Sequence, residues 1–176
     1  MCAVDVTSVI STDRLILRGP VMSDAPTIAS LANDLSVAAM TGTIPHPYGL
    51  TDAETFIARA QACDWKSEAN WVIEHQTFGV LGGLGLKRSV RPELGYWIGR
   101  PYWNRGYATE AVRAALRWVT RDWRKSVIVA GHFADNSASG QVLCKAGFLY
   151  TGDIEHRPSA ARGRDDVPTR MMVWLA

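Results

Sequence analysis

The chain has 176 residues, 47% hydrophobic and 20% charged, with a formal net charge of +2. That make-up is ordinary for one globular domain long enough to bury a core. The charge is too small, and Lys and Arg too dispersed among acids, for a nucleic-acid-binding surface, and no run approaches the roughly 20 apolar residues of a membrane helix. The three cysteines, Cys2, Cys63 and Cys144, are an odd, widely spaced set without CxxC or histidine patterns, which argues against a disulfide framework or a metal site and for a reducing compartment. The opening MCAVDVTSVISTDR has no basic flank before an apolar run, so no signal peptide is expected. A cytoplasmic protein with one domain, residues 1–176, is the expectation.

Along the chain, RLILR (14–18) alternates and predicts a strand. SDAPTIASLANDLS (23–36) predicts a helix, with Ser23 as N-cap and Pro26 in its first turn. IPHPYGL (44–50) is a loop, and TDAETFIARAQ opens a second helix with Thr51 and Glu54 at capping-box spacing. NWVIEHQ and FGVLGGLGLKR predict two strands joined near Thr77, the glycines at 82, 83 and 85 marking bulges or close backbone approach. PELGYWIG (92–99) is a further strand, ended by Gly99-Arg100-Pro101. From Gly106 to Arg121 apolar residues recur at steps of three and four, a helix. SVIVAGHF (126–133) is a continuous β-branched run expected to be buried on both faces, and NSASGQVLCKAGF (136–148) is a short helix closed by Gly147. RPSAARGRDDVP (157–168) is expected to be an exposed loop, and 168–175 a last strand. The order β-α-α-β-β-β-α-β-α-β-β describes an α/β (α+β) domain: a mixed sheet of six to seven strands with helices on its faces.

WNRGYATEA (103–111) places an arginine, a glycine and small residues where a helix begins. Unpaired N–H groups at a helix start suit an anion, and Gly106 lets the backbone come close; a plain strand-to-helix turn accounts for the same residues. No GxxxxGK[ST] is present, and GGLGLKR lacks the third glycine and following helix of a dinucleotide fingerprint.

The strand ELGYWIG, the turn PYWNRGYATEA, its helix, the apolar strand and NSASGQVLCKAGF together resemble the cofactor core of the GNAT superfamily of N-acetyltransferases. TDRLILR, SDAPTIASL and PHPYGLTDAETFI resemble the opening of its ribosomal-protein alanine N-acetyltransferase branch. The resemblance covers residues 11 to 175, with the acetyl-CoA core at about 92–148. It implies a mostly antiparallel sheet, splayed between the fourth and fifth strands, that binds acetyl-CoA as acyl donor and needs no metal. Tyr96, Trp97 and Ile98 would run beside the pantetheine arm, with a backbone N–H near Ile98 polarising the thioester carbonyl. Arg105, Gly106, Tyr107, Ala108 and Thr109 would hold the pyrophosphate, Asn136 the pantetheine, and Lys145 would lie near the nucleotide end.

Acyl transfer to an amine needs a neutral amine, a donor for the oxyanion and a stabilised thiolate. Many members carry a tyrosine acid seven positions after Asn136; here that residue is Leu143. Ser139 matches the serine of the ribosomal-protein branch and is the candidate proton donor, or else only a partner in the first helical turn. Glu93 stands where some relatives carry a catalytic glutamate, or is a solvated strand end. His132 is a second candidate base, or a satisfied structural histidine. Trp118 and Trp123 are expected in packing, Trp65 and Trp103 in packing or at the border of an acceptor cleft. Glu155 and His156 fall in a region that shapes acceptor sites in the superfamily. The expected activity is acetylation of a primary amine, at a peptide N-terminus or on a small molecule, by a monomer or homodimer. A non-catalytic acyl-CoA sensor is the alternative.

Overall fold

The structure, a computed structural model, describes residues 9–87 and 89–176; Cys2 and most of the segment read for a signal peptide lie outside them. Eight strands form one sheet in the order β1-β2-β3-β4-β5-β6-β8-β7. They are β1 (Ile10–Ser11), β2 (Leu15–Arg18), β3 (Glu68–His75), β4 (Gly79–Lys87), β5 (Glu93–Ile98), β6 (Val127–Phe133), β7 (Leu149–Ser159) and β8 (Arg164–Leu175). Five α-helices accompany them: α1 (Ala25–Ala32), α2 (Leu35–Ala38), α3 (Leu50–Ala62), α4 (Tyr107–Asp122) and α5 (Ser137–Ala146). The sheet carries one strand more than the upper expectation because Ile10–Ser11 folds back onto Ile16 and Leu17. Thr12 closes that turn, its N–H donating to the Leu15 carbonyl at 2.9 Å. No helix among the described residues is long and apolar enough to cross a membrane.

All neighbouring strands run antiparallel except β5 and β6. These two pair only at Glu93 with Val129 and Leu94 with Ala130, then part. The expected splay lies here, between the fourth and fifth of the strands foreseen. Helices α4 and α5 cover one face over Leu15, Leu17, Trp71, Ile73, Leu94 and Ile128, all buried, and α1 and α3 cover the other over Val72 and Val80. Trp71 and Trp118 meet edge to face at 4.9 Å, flanked by Trp65 and Trp123. The Trp65 ring meets those of Trp71 and Trp118 at 5.3 and 6.4 Å, so Trp65 is part of the packing, and its carbonyl accepts from the Trp123 indole N–H at 3.0 Å.

Several local expectations change. The helix read over 23–36 is broken, because Asp34 accepts from the Ser36 N–H at 2.9 Å and caps α2, and Asn33 turns its Oδ1 to the Tyr48 N–H at 2.8 Å. Short polar side chains that bond nearby backbone compete in this way with helix continuation. Asp24, not Ser23, precedes α1. Helix α3 starts one residue before Thr51, and its cap is the Gly49 N–H donating to Asp52 at 2.7 Å, not a Thr51–Glu54 box. Strand β6 alternates between buried and half-buried instead of being buried on both faces, its Val127, Val129 and Gly131 staying half-buried.

The segment 157–168 is not a loop: residues 160–163 turn, and the rest extends β7 and β8 into a long hairpin. Polar residues dominate there because β7 is a sheet edge, where charge guards against further strand pairing. The glycine reading of β4 has a direct cause. Ile73 pairs with Gly82 and Glu74 with Val80, so Leu81 bulges. A Cβ on Gly82 would lie 2.1 Å from the Trp97 carbonyl oxygen, whereas one on Gly95 would meet nothing within 4 Å.

This contrast predicts that Gly82→Ala loses about 3 kcal/mol or more of unfolding free energy, since backbone must move to admit the methyl group. Gly95→Ala is expected to change it by less than about 0.5 kcal/mol. Urea denaturation of the pair checks this, and equal midpoints would contradict it.

Candidate active site

Strands β5 and β6 are parallel, and each is followed by a helix, so α4 and α5 both begin at the end where the strands part. Where strands of an open sheet diverge in this way, the crevice beyond their carboxyl ends is a natural ligand site. Here two helix starts, each carrying partial positive charge, flank it.

The first start is the turn before α4. Asn104 and Gly106 take left-handed backbone conformations, with φ of 60° and 79°. The first intrahelical bond is Glu110 N–H to the Gly106 carbonyl at 3.1 Å, so the N–H groups of Tyr107, Ala108 and Thr109 have no acceptor within the helix. Arg105 and Gly106 are exposed, Ala108 and Thr109 half-buried, and Tyr107 buried. The pieces expected to form an anion cradle are therefore together. Beneath them lies Arg14, which the sequence did not single out. It donates through Nη1 to the Arg105 carbonyl at 3.0 Å, stacks over the Tyr107 ring at 4.7 Å and pairs with Glu110 at 2.6 Å.

The second start is Asn136, whose Oδ1 accepts from the Ser139 N–H at 3.1 Å; its NH₂ has no partner among the described residues. Ser139 Oγ lies 2.8 Å from the Tyr96 hydroxyl, a pairing the sequence did not reveal, because strand and helix are joined only by the fold. Burial pushes the Tyr96 phenol up to about 12 despite the opposing hydrogen bond from Ser139, so it stays protonated. Leu143 is fully buried in the core. Alternation along β5 turns Leu94 and Ile98 to the α4–α5 side, while Trp97 packs in the cluster under α1 and α3. The Trp97 N–H and carbonyl pair with Gly83 of β4, so the N–H groups turned toward the crevice are those of Tyr96 and Ile98. The Trp103 indole N–H donates to the Ile98 carbonyl at 2.6 Å, fixing the loop that leads into the turn.

His132 is buried, with Nδ1 2.8 Å from the Phe133 carbonyl and Nε2 2.9 Å from the Tyr150 hydroxyl. A carbonyl only accepts, so Nδ1 carries the proton and Nε2 takes the Tyr150 hydrogen. Both ring nitrogens are occupied, as in a structural histidine. Gly140 leaves room for this pair: a Cβ there would lie 2.5 Å from the Tyr150 oxygen. Glu93 is bound by Arg157 of β7, which also reaches Glu155 at 2.8 Å. Arg157 lies in the segment expected to be a loop, and the β7–β8 hairpin carries it to the start of β5. Lys145 is exposed near the end of α5, about 12 Å along the helix from Ser137, where its carbonyl accepts from Arg113. It lines, with His132, Tyr150 and Arg170, an open depression of about 480 Å³ on the other side of α5.

The acetyltransferase (GNAT) domain matches residues 14–149. An uncharacterized N-acetyltransferase of Bacillus subtilis (strain 168), YoaA, is 31% identical over 160 residues, which is 82% of this chain and 84% of that protein. Among solved structures, RimL, the ribosomal L7/L12 alpha-N-protein acetyltransferase in complex with coenzyme A, superposes with a TM-score of 0.82 at 16% identity, covering 96% of this chain and 98% of RimL. The microcin C7 self-immunity acetyltransferase MccE, in complex with acetyl-CoA and AMP, gives 0.82 at 16% identity over 94% of each chain. At such identities these structures speak to the fold.

Burial pulls the Glu110 carboxyl upward, but hydrogen bonds from Thr12 and Arg14 outweigh it and hold its pKa below the usual glutamate value. The stability it contributes is therefore present above the unfolded-state value and is lost as pH falls through the lower folded one. Glu110→Gln should be less stable than the parent near neutrality and lose less stability on acidification across about pH 5 to 3. Thermal unfolding over that range checks this, and parallel curves for the two proteins would refute it.

Proposed function

The chain belongs to the GNAT acetyltransferase family, and on that premise we propose that it transfers the acetyl group of acetyl-CoA directly to a primary amine, a protein N-terminal α-amine ahead of a small-molecule amine. The observation that carries this reading is the crevice between β5 and β6, with the starts of α4 and α5 at its mouth and the Tyr96–Ser139 hydroxyl pair on its wall. Acetyl-CoA in MccE and coenzyme A in RimL support the choice of donor, and the alpha-N-protein activity in RimL's name supports the order of acceptors. The reading places the enzyme in the cytoplasm, as a monomer or homodimer.

In this reading the Arg105–Thr109 turn takes the pyrophosphate on its free N–H groups, and the Asn136 NH₂ holds the pantetheine. The thioester carbonyl meets the backbone N–H near Ile98, a donor aimed at the oxyanion as it forms. An α-amino group, with a pKa of about 8, loses its proton more readily than a lysine at about 10, so a modest base suffices. His132 has both ring nitrogens engaged; Glu93, five residues or about 16 Å along β5 from Ile98, acts only through a chain of waters and is shared with Arg157. The neutral amine attacks the carbonyl carbon, the tetrahedral adduct collapses, and the C–S bond breaks. Ser139, backed by the neutral Tyr96 phenol, donates a hydrogen bond to the departing sulfur. The ammonium gives up one proton before attack and the adduct nitrogen a second as it collapses; one of the two protonates the departing thiolate and the other passes to solvent.

Free CoA release is the test, followed with acetyl-CoA against N-terminal peptides, polyamines, amino acids and aminoglycosides. Release above background hydrolysis with N-terminal peptides supports the full reading, and release with another class alone moves the acceptor. Acetyl-CoA binding without release across the panel favours a sensor, and absence of binding overturns the assignment. With a working acceptor, Ser139→Ala and Tyr96→Phe should each lower kcat about tenfold to a hundredfold while the KM for acetyl-CoA moves by less than about twofold.

A further inference from the structure

Helix α4 carries a feature that runs against anion binding. Glu110 stands in its first turn, where a carboxylate stabilises an isolated helix start but repels a second anion brought to the same N–H groups. In this structure that charge is fully engaged on the side away from the crevice. One carboxylate oxygen accepts from the Thr12 hydroxyl at 2.6 Å and the Arg14 N–H at 3.0 Å. The other accepts from Arg14 Nε at 2.7 Å and Nη2 at 2.6 Å. The remaining guanidinium nitrogen, Nη1, donates to the Arg105 carbonyl, and the guanidinium plane lies over Tyr107. A Cβ on Gly106 would lie 3.4 Å from Nη2. One side chain from the sheet edge thus holds Arg105 and Tyr107, on either side of Gly106, as well as the acid behind them.

We propose, resting on the acetyl-CoA reading of the crevice, that Arg14 is the positioning residue of the pyrophosphate turn. It cancels Glu110 at the helix start and holds the Arg105 peptide so that the following N–H groups face the anion. Arg14 acts through the turn and contacts no reacting atom. Its planar fork is essential, because a guanidinium reaches the carboxylate through two nitrogens and the carbonyl through a third, whereas a lysine ammonium is a point charge.

Binding of coenzyme A by calorimetry and of pantetheine, which lacks the phosphates, by ligand-detected NMR separates this role from general stability. Arg14→Gln should weaken coenzyme A by about tenfold or more, with pantetheine changed by less than about twofold because it does not meet the helix start. Glu110→Gln should bind coenzyme A at least as tightly as the parent. Arg14→Gln combined with Glu110→Gln should regain part of the loss, since the repelling charge is gone while the Arg105 carbonyl stays unheld. Arg14→Lys should fall between the parent and Arg14→Gln, and keeps the test open if the glutamine variant does not fold. Equal losses for coenzyme A and pantetheine, or no loss for coenzyme A, would overturn the proposal. If the unsubstituted protein binds neither ligand, the acetyl-CoA reading itself fails, and that is seen before any variant is made.

Discussion

Two residue pairs hold the middle of this molecule together. Among the described residues strands β5 and β6 pair only at Glu93–Val129 and Leu94–Ala130, and the crevice follows from what happens after them. Had the strands stayed paired, their N–H and C=O groups would have bonded each other and left no crevice. Because they part, backbone along 95–98 is released toward a ligand, and the two following helices are delivered with their starts on either side. Parallel strands require such crossover helices, so the anion-favouring geometry comes with the topology. The cost of parting the strands is met elsewhere: β4 continues to bond β5 along its length, β8 bonds β6, and α4 packs its buried face over the junction.

The turn at the head of α4 shows how several weak terms are made to agree. Left-handed backbone at Asn104 and Gly106 turns the chain sharply enough to present successive N–H groups. Asparagine and glycine are the residues that bear that conformation at least cost. Trp103 ties the incoming loop to Ile98, and Arg14 ties the turn to the sheet edge. The result is a turn held in place at both ends, so that under the proposed reading little ordering would remain to be done on binding.

The titratable groups divide by what surrounds them. His132 and Tyr150 satisfy each other under Gly140, a closed pair that stiffens the base of α5. Tyr96 and Ser139 form an open pair at the start of the same helix, half-buried and facing the crevice. Glu93, Arg157 and Glu155 make a charged row where β5 meets the hairpin. In the proposed reaction a leaving sulfur would need a donor that stays protonated, which a phenol raised by burial next to a hydroxyl supplies and a histidine with both nitrogens bonded does not.

Much was legible from the chain alone, wherever the signal is local. The steps of three and four from Ala108 to Val119 specify α4, Gly147 ends α5, and the glycines of β4 announce the bulge at Leu81. The turn and helix start of 103–109 were visible for the same reason, since they are made from consecutive residues. Breaks set by short side chains were harder: Asn33 and Asp34 end a helix that apolar spacing would continue. The two last strands were foreseen, but their extension through 157–167 was hidden, because an edge strand is polar on the side that water sees. What only the tertiary structure decided are the partnerships between distant segments, Tyr96 with Ser139, Glu93 with Arg157, and Arg14 with Glu110 and the Arg105 carbonyl. Sequence determines which groups are present and which local shapes they take. Which of them meet depends on the order of strands in the sheet and on where two of those strands come apart, because a side chain reaches only a few ångströms and the fold must bring its partner the rest of the way.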